Sequence, residues 1–118
     1  MTQLIFPPAY RLLQAQGFSL VFAHKKSVRS EHFQLSYCPG VAQTARLGVV
    51  VAKKLARRAV TRNRVKRQTR EVFRHCRPNL PPLDVVLRLT RPLPAVEWRA
   101  VKAQVRAEIE ALFARLPR

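Results

Sequence analysis

Acidic residues are scarce: the 118-residue chain has six Asp and Glu against 23 Lys and Arg, a formal net charge of +17. Those six, Glu31, Glu71, Asp84, Glu97, Glu108 and Glu110, are too few and scattered for a paired-carboxylate site. Cysteine is scarce too. Cys38 and Cys76 stand far apart with no CxxC or HxxxH spacing beside them, which excludes a disulfide framework and predicts reduced, mostly buried thiols. His24, His32 and His75 share no ligand spacing, and no Ser or Cys nucleophile motif accompanies them. They are expected at the surface or at a cleft edge, with no catalytic residue and no metal site in the chain. No apolar run approaches the ~18 residues of a membrane-spanning helix. The N-terminus, MTQLIFPPAYRLL, lacks the charged region, apolar stretch and cleavage site of a secretory signal, so a cytoplasmic protein is expected. Internal repeats and low-complexity linkers are also missing, and the length fits one domain, 1–118.

What the chain does have is positive charge, concentrated in one place. Lys53 to Arg77, KKLARRAVTRNRVKRQTREVFRHCR, holds eleven of the Lys and Arg residues and one acid, Glu71. On a helical wheel Val65, Thr69, Val72 and Cys76 share one side with Phe73 beside them, while Asn63, Arg67, Arg70 and Arg74 line the other. Lys66 and Arg77 widen that stripe, and Arg62 and Arg64 flank the apolar seam. Like charges four apart, such as Lys66 and Arg70, repel by ~0.2 to 0.5 kcal/mol per pair, so folding alone does not select the arrangement. A charge run is usually a solvated face, but solvated faces mix signs. This one calls for a polyanion. Since 47% of residues are apolar, the chain is a folded basic domain rather than a basic tail, and nucleic acid is the first partner to consider. A membrane surface is the rival, but the seam of Val, Thr and Cys lacks the Trp, Leu and Phe of an interfacial helix, so no membrane partner is expected.

The remaining segments supply a scaffold. Pro7-Pro8 favours an extended arm over residues 1–11. Phe18, Val21 and Phe22 share a helical face within Gln14 to His24, although Phe18, Leu20 and Phe22 also fit a strand; a short helix is preferred. Ser27 to Ser30 reads as an edge strand, and Glu31 to Cys38 alternates Phe33, Leu35 and Tyr37 against His32, Gln34 and Ser36. Pro39-Gly40 turns the chain. Arg46 to Ala52, RLGVVVA, is β-branched without alternation, which predicts a strand buried on both faces in the middle of a sheet. Pro78 stops the basic helix, and DVVLRLT from Asp84 to Thr90 is the fourth strand. Trp98, Val101, Val105, Ile109, Leu112 and Leu116 then mark an amphipathic helix that serves the core rather than the site, with Pro94 suited to its first turn. The order is helix, three strands, basic helix, strand, helix: an α+β sandwich of helices on one four-stranded sheet. Phe18 and Phe22 fit either a core or a stacking surface for unpaired bases.

The run from Ala52 to Arg74, AKKLARRAVTRNRVKRQTREVFR, resembles the signature of the bacterial ribonuclease P protein subunit. Its most specific piece is Arg62-Asn63-Arg64-x-Lys66-Arg67-x-x-Arg70-Glu71, preceded by Lys53-Lys54. FPPAYRLLQAQGFSLVF, RLGVVVAKK and DVVLRLTRP resemble the family's arm and first helix, third strand and fourth strand, so the likeness covers nearly the whole chain. The resemblance implies αβββαβα order, a four-stranded mixed sheet and a left-handed βαβ crossover, as in a ribosomal-protein-like fold. It also implies a non-catalytic subunit of an endonuclease that removes the 5′ leader from precursor tRNA, with the RNA subunit performing the hydrolysis with Mg²⁺. Arg62, Asn63, Arg64, Lys66, Arg67 and Arg70 would contact the catalytic RNA, and Phe18, Phe22 and Lys54 the leader. One copy per RNA is expected. Where some relatives place a cleft-facing aromatic on the second strand, this chain offers Ser36, with Tyr37 at the adjacent, core-facing position. A structural RNA-binding protein of ribosomal type shares the charge but gives no reason for the arm and cleft aromatics. A major-groove DNA reader would want base-reading residues on the basic helix and a dimer interface.

Overall fold

Two sets of apolar side chains, one on each face of a single sheet, organise the molecule. A computed structural model describes residues 21–40 and 44–117. In chain order the elements are α1 (21–24), β1 (Lys26–Arg29), β2 (Phe33–Pro39), β3 (Arg46–Val50), α2 (Ala59–Cys76), β4 (Leu83–Leu89) and α3 (Trp98–Ala114). The expected αβββαβα order is therefore present. Phe18, the arm over 1–11 and most of the first helix lie outside the described residues. Lys25, with φ 63°, takes the left-handed region to end α1 and turn into β1.

The sheet order is β1-β2-β4-β3, with β1–β2 and β2–β4 antiparallel and β3–β4 parallel. This corrects the expectation that Arg46 to Ala52 is a central strand: β3 pairs with β4 alone and lies at the edge, while β4 has neighbours on both sides. The unbroken GVVV run reports that both faces are covered, not how many strands flank it. Leu47 and Val49 pack with the main core, and Val50 with the cluster on the opposite face.

On the first face, Phe33, Leu35, Val85, Leu87 and Leu89 meet Val65, Val72 and Phe73 of α2 and Val101, Val105, Ile109, Leu112 and Phe113 of α3. Tyr37 packs against this core, as its alternation with Ser36 predicts. The rings of Phe73 and Phe113 stand 6.1 Å apart and tilted by 55°, joining the two helices. Burying such side chains stabilises by ~1.5 to 3 kcal/mol each. Thr69 is fully buried in the seam because its hydroxyl donates to the Val65 carbonyl at 2.8 Å. The α2 helix starts only at Ala59; residues 53–55 form a turn. It ends at Cys76, where Arg77–Asn79 tightens into a 3-10 turn around Pro78. Pro94 stands ahead of α3 rather than in its first turn, since that helix begins at Trp98 after Glu97.

Two polar devices fasten the sheet. Asp84 is buried and accepts two hydrogen bonds from Arg46, Nε to Oδ1 at 3.0 Å and Nη2 to Oδ2 at 2.8 Å. Gly40 packs beside them: a Cβ there would lie 2.9 Å from Asp84 Oδ1, so any larger residue displaces the ion pair. The second device corrects an expectation. His32 is 8% exposed, not a surface residue, because Glu108 of α3 reaches the β1–β2 connection. Its Oε2 meets His32 Nδ1 at 2.7 Å, and its Oε1 accepts from Ser30 Oγ at 2.6 Å and from the His32 backbone N–H at 2.8 Å. His24 and His75 are exposed, as expected.

Candidate nucleic-acid interface

The buried seam of α2 holds its other side outward. Asn63, Arg64 and Arg67 are exposed and Lys66 is half-buried, and none makes a side-chain hydrogen bond or ion pair with another described residue. Arg70, on the same stripe, is half-buried. Glu71 meets this stripe at its far end, at Arg74. Its Oε2 accepts from Arg74 at 2.9 Å and lies 3.0 Å from His75 Nε2. The bond to His75, helped by Arg74 and opposed by burial, holds its carboxyl below the usual range, so this acid stays ionised and engaged one turn further on. Charges left without partners on a face that folding does not need can bind phosphate.

Arg62 differs from its neighbours. Its Nη1 donates to the carbonyls of Ala56 at 2.9 Å and Arg57 at 2.8 Å. The side chain thereby ties residues 53–58, with Lys53, Lys54, Arg57 and Arg58, to the first turn of α2. The spacing that groups Arg62 with Arg64 gives no hint of this, since the acceptors are main-chain atoms of a loop.

The second sheet face carries the candidate aromatic site. Val21 and Phe22 of α1 pack on Val86, Cys38 and Val50, and the Arg88 guanidinium carbon lies 5.2 Å from the Phe22 ring centroid. Phe22 is half-buried, so part of its ring stays accessible. From Arg88 a polar row crosses the sheet: its Nη2 donates to Gln34 Oε1 at 2.8 Å, and Gln34 Nε2 donates to Ser27 Oγ at 3.0 Å. Ser36, beside this row, is buried. Sequence reading missed Arg88 and Gln34, though the alternation in β2 and β4 puts both on the face opposite the core. Lys54 lines a concavity that Phe22 does not, of about 670 Å³, between the start of α2 and the segment leading into α3.

Nothing among the described residues assembles into a hydrolytic centre. Ser30, His32 and Glu108 have the composition of a triad, but the serine hydroxyl donates to the carboxylate and not to the imidazole, so the serine–histidine relay of a triad is not formed. Ligand atoms of Glu31, His32 and Glu108 lie within 4.8 Å of one another. Both Glu108 oxygens and His32 Nδ1 are nonetheless consumed by bonds within the cluster, which acts as a clasp. The Cys38 thiol is pushed up by burial and by the Asp84 carboxylate, with Arg46 opposing, and stays protonated and unreactive.

The molecule thus carries a basic helix on which Asn63, Arg64, Lys66 and Arg67 have no side-chain partner among the described residues, and, on the other face of the sheet, a partly accessible aromatic ring. Residues 6–116 match the family model described as Ribonuclease P. The chain belongs to the ribonuclease P protein family. The ribonuclease P protein component of Azoarcus sp. (strain BH72) is 46% identical over 112 residues, covering 95% of this chain and 90% of that protein. That of Bordetella petrii is 43% identical over 122 residues, covering 98% of each. The structure of the Staphylococcus aureus RNase P protein superposes with a TM-score of 0.76 at 25% identity, over 89% of this chain and 93% of that one. Sequence and fold therefore agree along nearly the full length, and the function is that of a ribonuclease P protein component.

Proposed function

We propose that this protein is the non-catalytic subunit of a ribonucleoprotein endonuclease, gripping its catalytic RNA with α2 and the 5′ leader of precursor tRNA with the Phe22 face of the sheet. The observation that carries the first half is the unpaired set Asn63, Arg64, Lys66 and Arg67 on a helix anchored by its opposite side. The second half is supported by Phe22 beneath Arg88, an accessible ring next to a cation, which suits an unpaired base and its phosphate. The RNA subunit performs phosphodiester hydrolysis with Mg²⁺, and the protein contributes charge neutralisation and placement of the leader. One copy per RNA acts in the cytoplasm.

Reconstitution tests this reading. Purified protein alone should cleave no precursor tRNA; added to the catalytic RNA, it should lower the Mg²⁺ concentration needed for cleavage. Cleavage by RNA-free protein at a rate indifferent to added RNA would sink it.

A further inference from the structure

The α3 helix is not only core. Its flank bearing Trp98, Lys102 and Arg106, next to the buried Val101 and Val105 seam, forms one wall of a groove whose other wall is α2. Two concavities make up this groove, one of about 670 Å³ at the start of α2 and one of about 590 Å³ further along it, and Trp98 lines both. The indole leans on the main core and is only partly buried, and it is the one tryptophan of the chain. In the first concavity Lys54, Arg57 and Arg58 face an apolar floor of Leu93 and Val96, and Val96 is 55% exposed. In the second, Arg64 and Arg67 of α2 face Lys102 and Arg106 of α3. Acids do not balance these cations. Glu97 bonds Arg99 at 3.1 Å, Glu71 is held by Arg74 and His75, and Arg106 alone among the seven has an acid partner, Glu110 at 2.9 Å.

A strip of cations interrupted by one accessible indole matches the chemistry of unpaired nucleotides, which alternate phosphates with stackable bases. A duplex presents phosphates but no free base faces, so Trp98 would have no partner there. We infer that this groove holds an unpaired segment of the catalytic RNA, with a base stacked on Trp98 and flanking phosphates met by Arg64 and Lys102 on one side and Arg57 or Arg58 on the other. The inference rests on the reading that α2 binds the catalytic RNA, because Arg64 and Arg67 belong to both surfaces. It is distinct from the Phe22 site, which lies across the sheet against the Val21, Cys38 and Val86 cluster.

The lone tryptophan provides the readout. The full chain is titrated with the catalytic RNA while Trp98 emission, corrected for absorption by the RNA, and the anisotropy of labelled RNA are followed together. Assembly should quench Trp98 emission, and precursor tRNA added to the assembled complex should leave it unchanged. Trp98→Ala should weaken assembly roughly 5- to 150-fold, as loss of one stacked base does. Trp98→Phe should recover most of that loss. Lys102→Glu, at an exposed position with no partner among the described residues, should weaken assembly without lowering Tm. Normal assembly with unquenched emission, or quenching that appears only with precursor tRNA, overturns the groove assignment and leaves the role of α2 intact. Absence of any anisotropy change on adding catalytic RNA overturns both.

Discussion

The Arg88 guanidinium stacks over the Phe22 ring with 5.2 Å between its central carbon and the centroid, joining β4 to α1 across the face of the sheet away from the main core. A ring held this way is oriented before any ligand arrives, so little order remains to be gained on binding. Phe22→Ala should therefore reduce affinity for leader-bearing precursor tRNA by ~1 to 3 kcal/mol. Binding of leaderless tRNA and assembly with the catalytic RNA should change little. Parallel filter-binding titrations on the two tRNAs check this; equal losses on both would remove the leader from this face.

Arg62 and Arg67 should separate by phenotype although both belong to the same basic motif. Arg67 is exposed and has no side-chain partner among the described residues, so Arg67→Ala should leave stability within about 0.5 kcal/mol while weakening assembly with the catalytic RNA. Arg62→Ala releases the Ala56 and Arg57 carbonyls and should cost about 1 to 2 kcal/mol of stability. Thermal melts beside RNA titrations distinguish them, and identical Tm values for the two variants would count against the structural role of Arg62.

Salt dependence should report the phosphate contacts of α2. Four stripe cations, Arg64, Lys66, Arg67 and Arg70, predict a log-log slope of binding against salt of about −3 to −4. Removing Lys66 should make the slope shallower by about one. A slope near zero would mean that the stripe does not carry the affinity.

Acid should loosen the clasp between α3 and the β1–β2 connection. Burial resists ionisation of Glu108, but hydrogen bonds from Ser30, from the His32 ring and backbone, and from Gln104 outweigh it and hold its carboxyl below the usual range. A carboxyl depressed by folding contributes stability that is fully present above its unfolded value, near 4.3, and is lost as pH falls through the folded value. Tm should therefore decline below about pH 4.3. Glu108→Gln should melt lower at neutral pH, with the gap to the parent chain closing in acid. A gap that stays constant from pH 7 to the acid limb would show that the ionised carboxylate is not what the clasp uses.

Much of this protein follows from local pattern. The 3.6-residue spacing of Val65, Thr69 and Val72, and of Val101, Val105 and Ile109, names two buried helix seams because each seam must face a core whatever the topology. The alternation of Phe33, Leu35 and Tyr37 names the core face of β2 for the same reason, and the basic stripe of α2 is visible because charge has no packing role to hide in. What the tertiary structure alone decided are the relations between distant segments. Hydropathy records whether a strand is covered but not its neighbours, so the edge position of β3 waited for the pairing with β4. His32 looked like a surface residue because its partner, Glu108, is 76 positions away. Arg62 turned inward because loop carbonyls, which no side-chain code records, lay within reach. Trp98 read as one more core position from its spacing. Its place between two cationic walls depends on how α2 and α3 lie together, a consequence of long-range packing that periodicity along one helix does not encode.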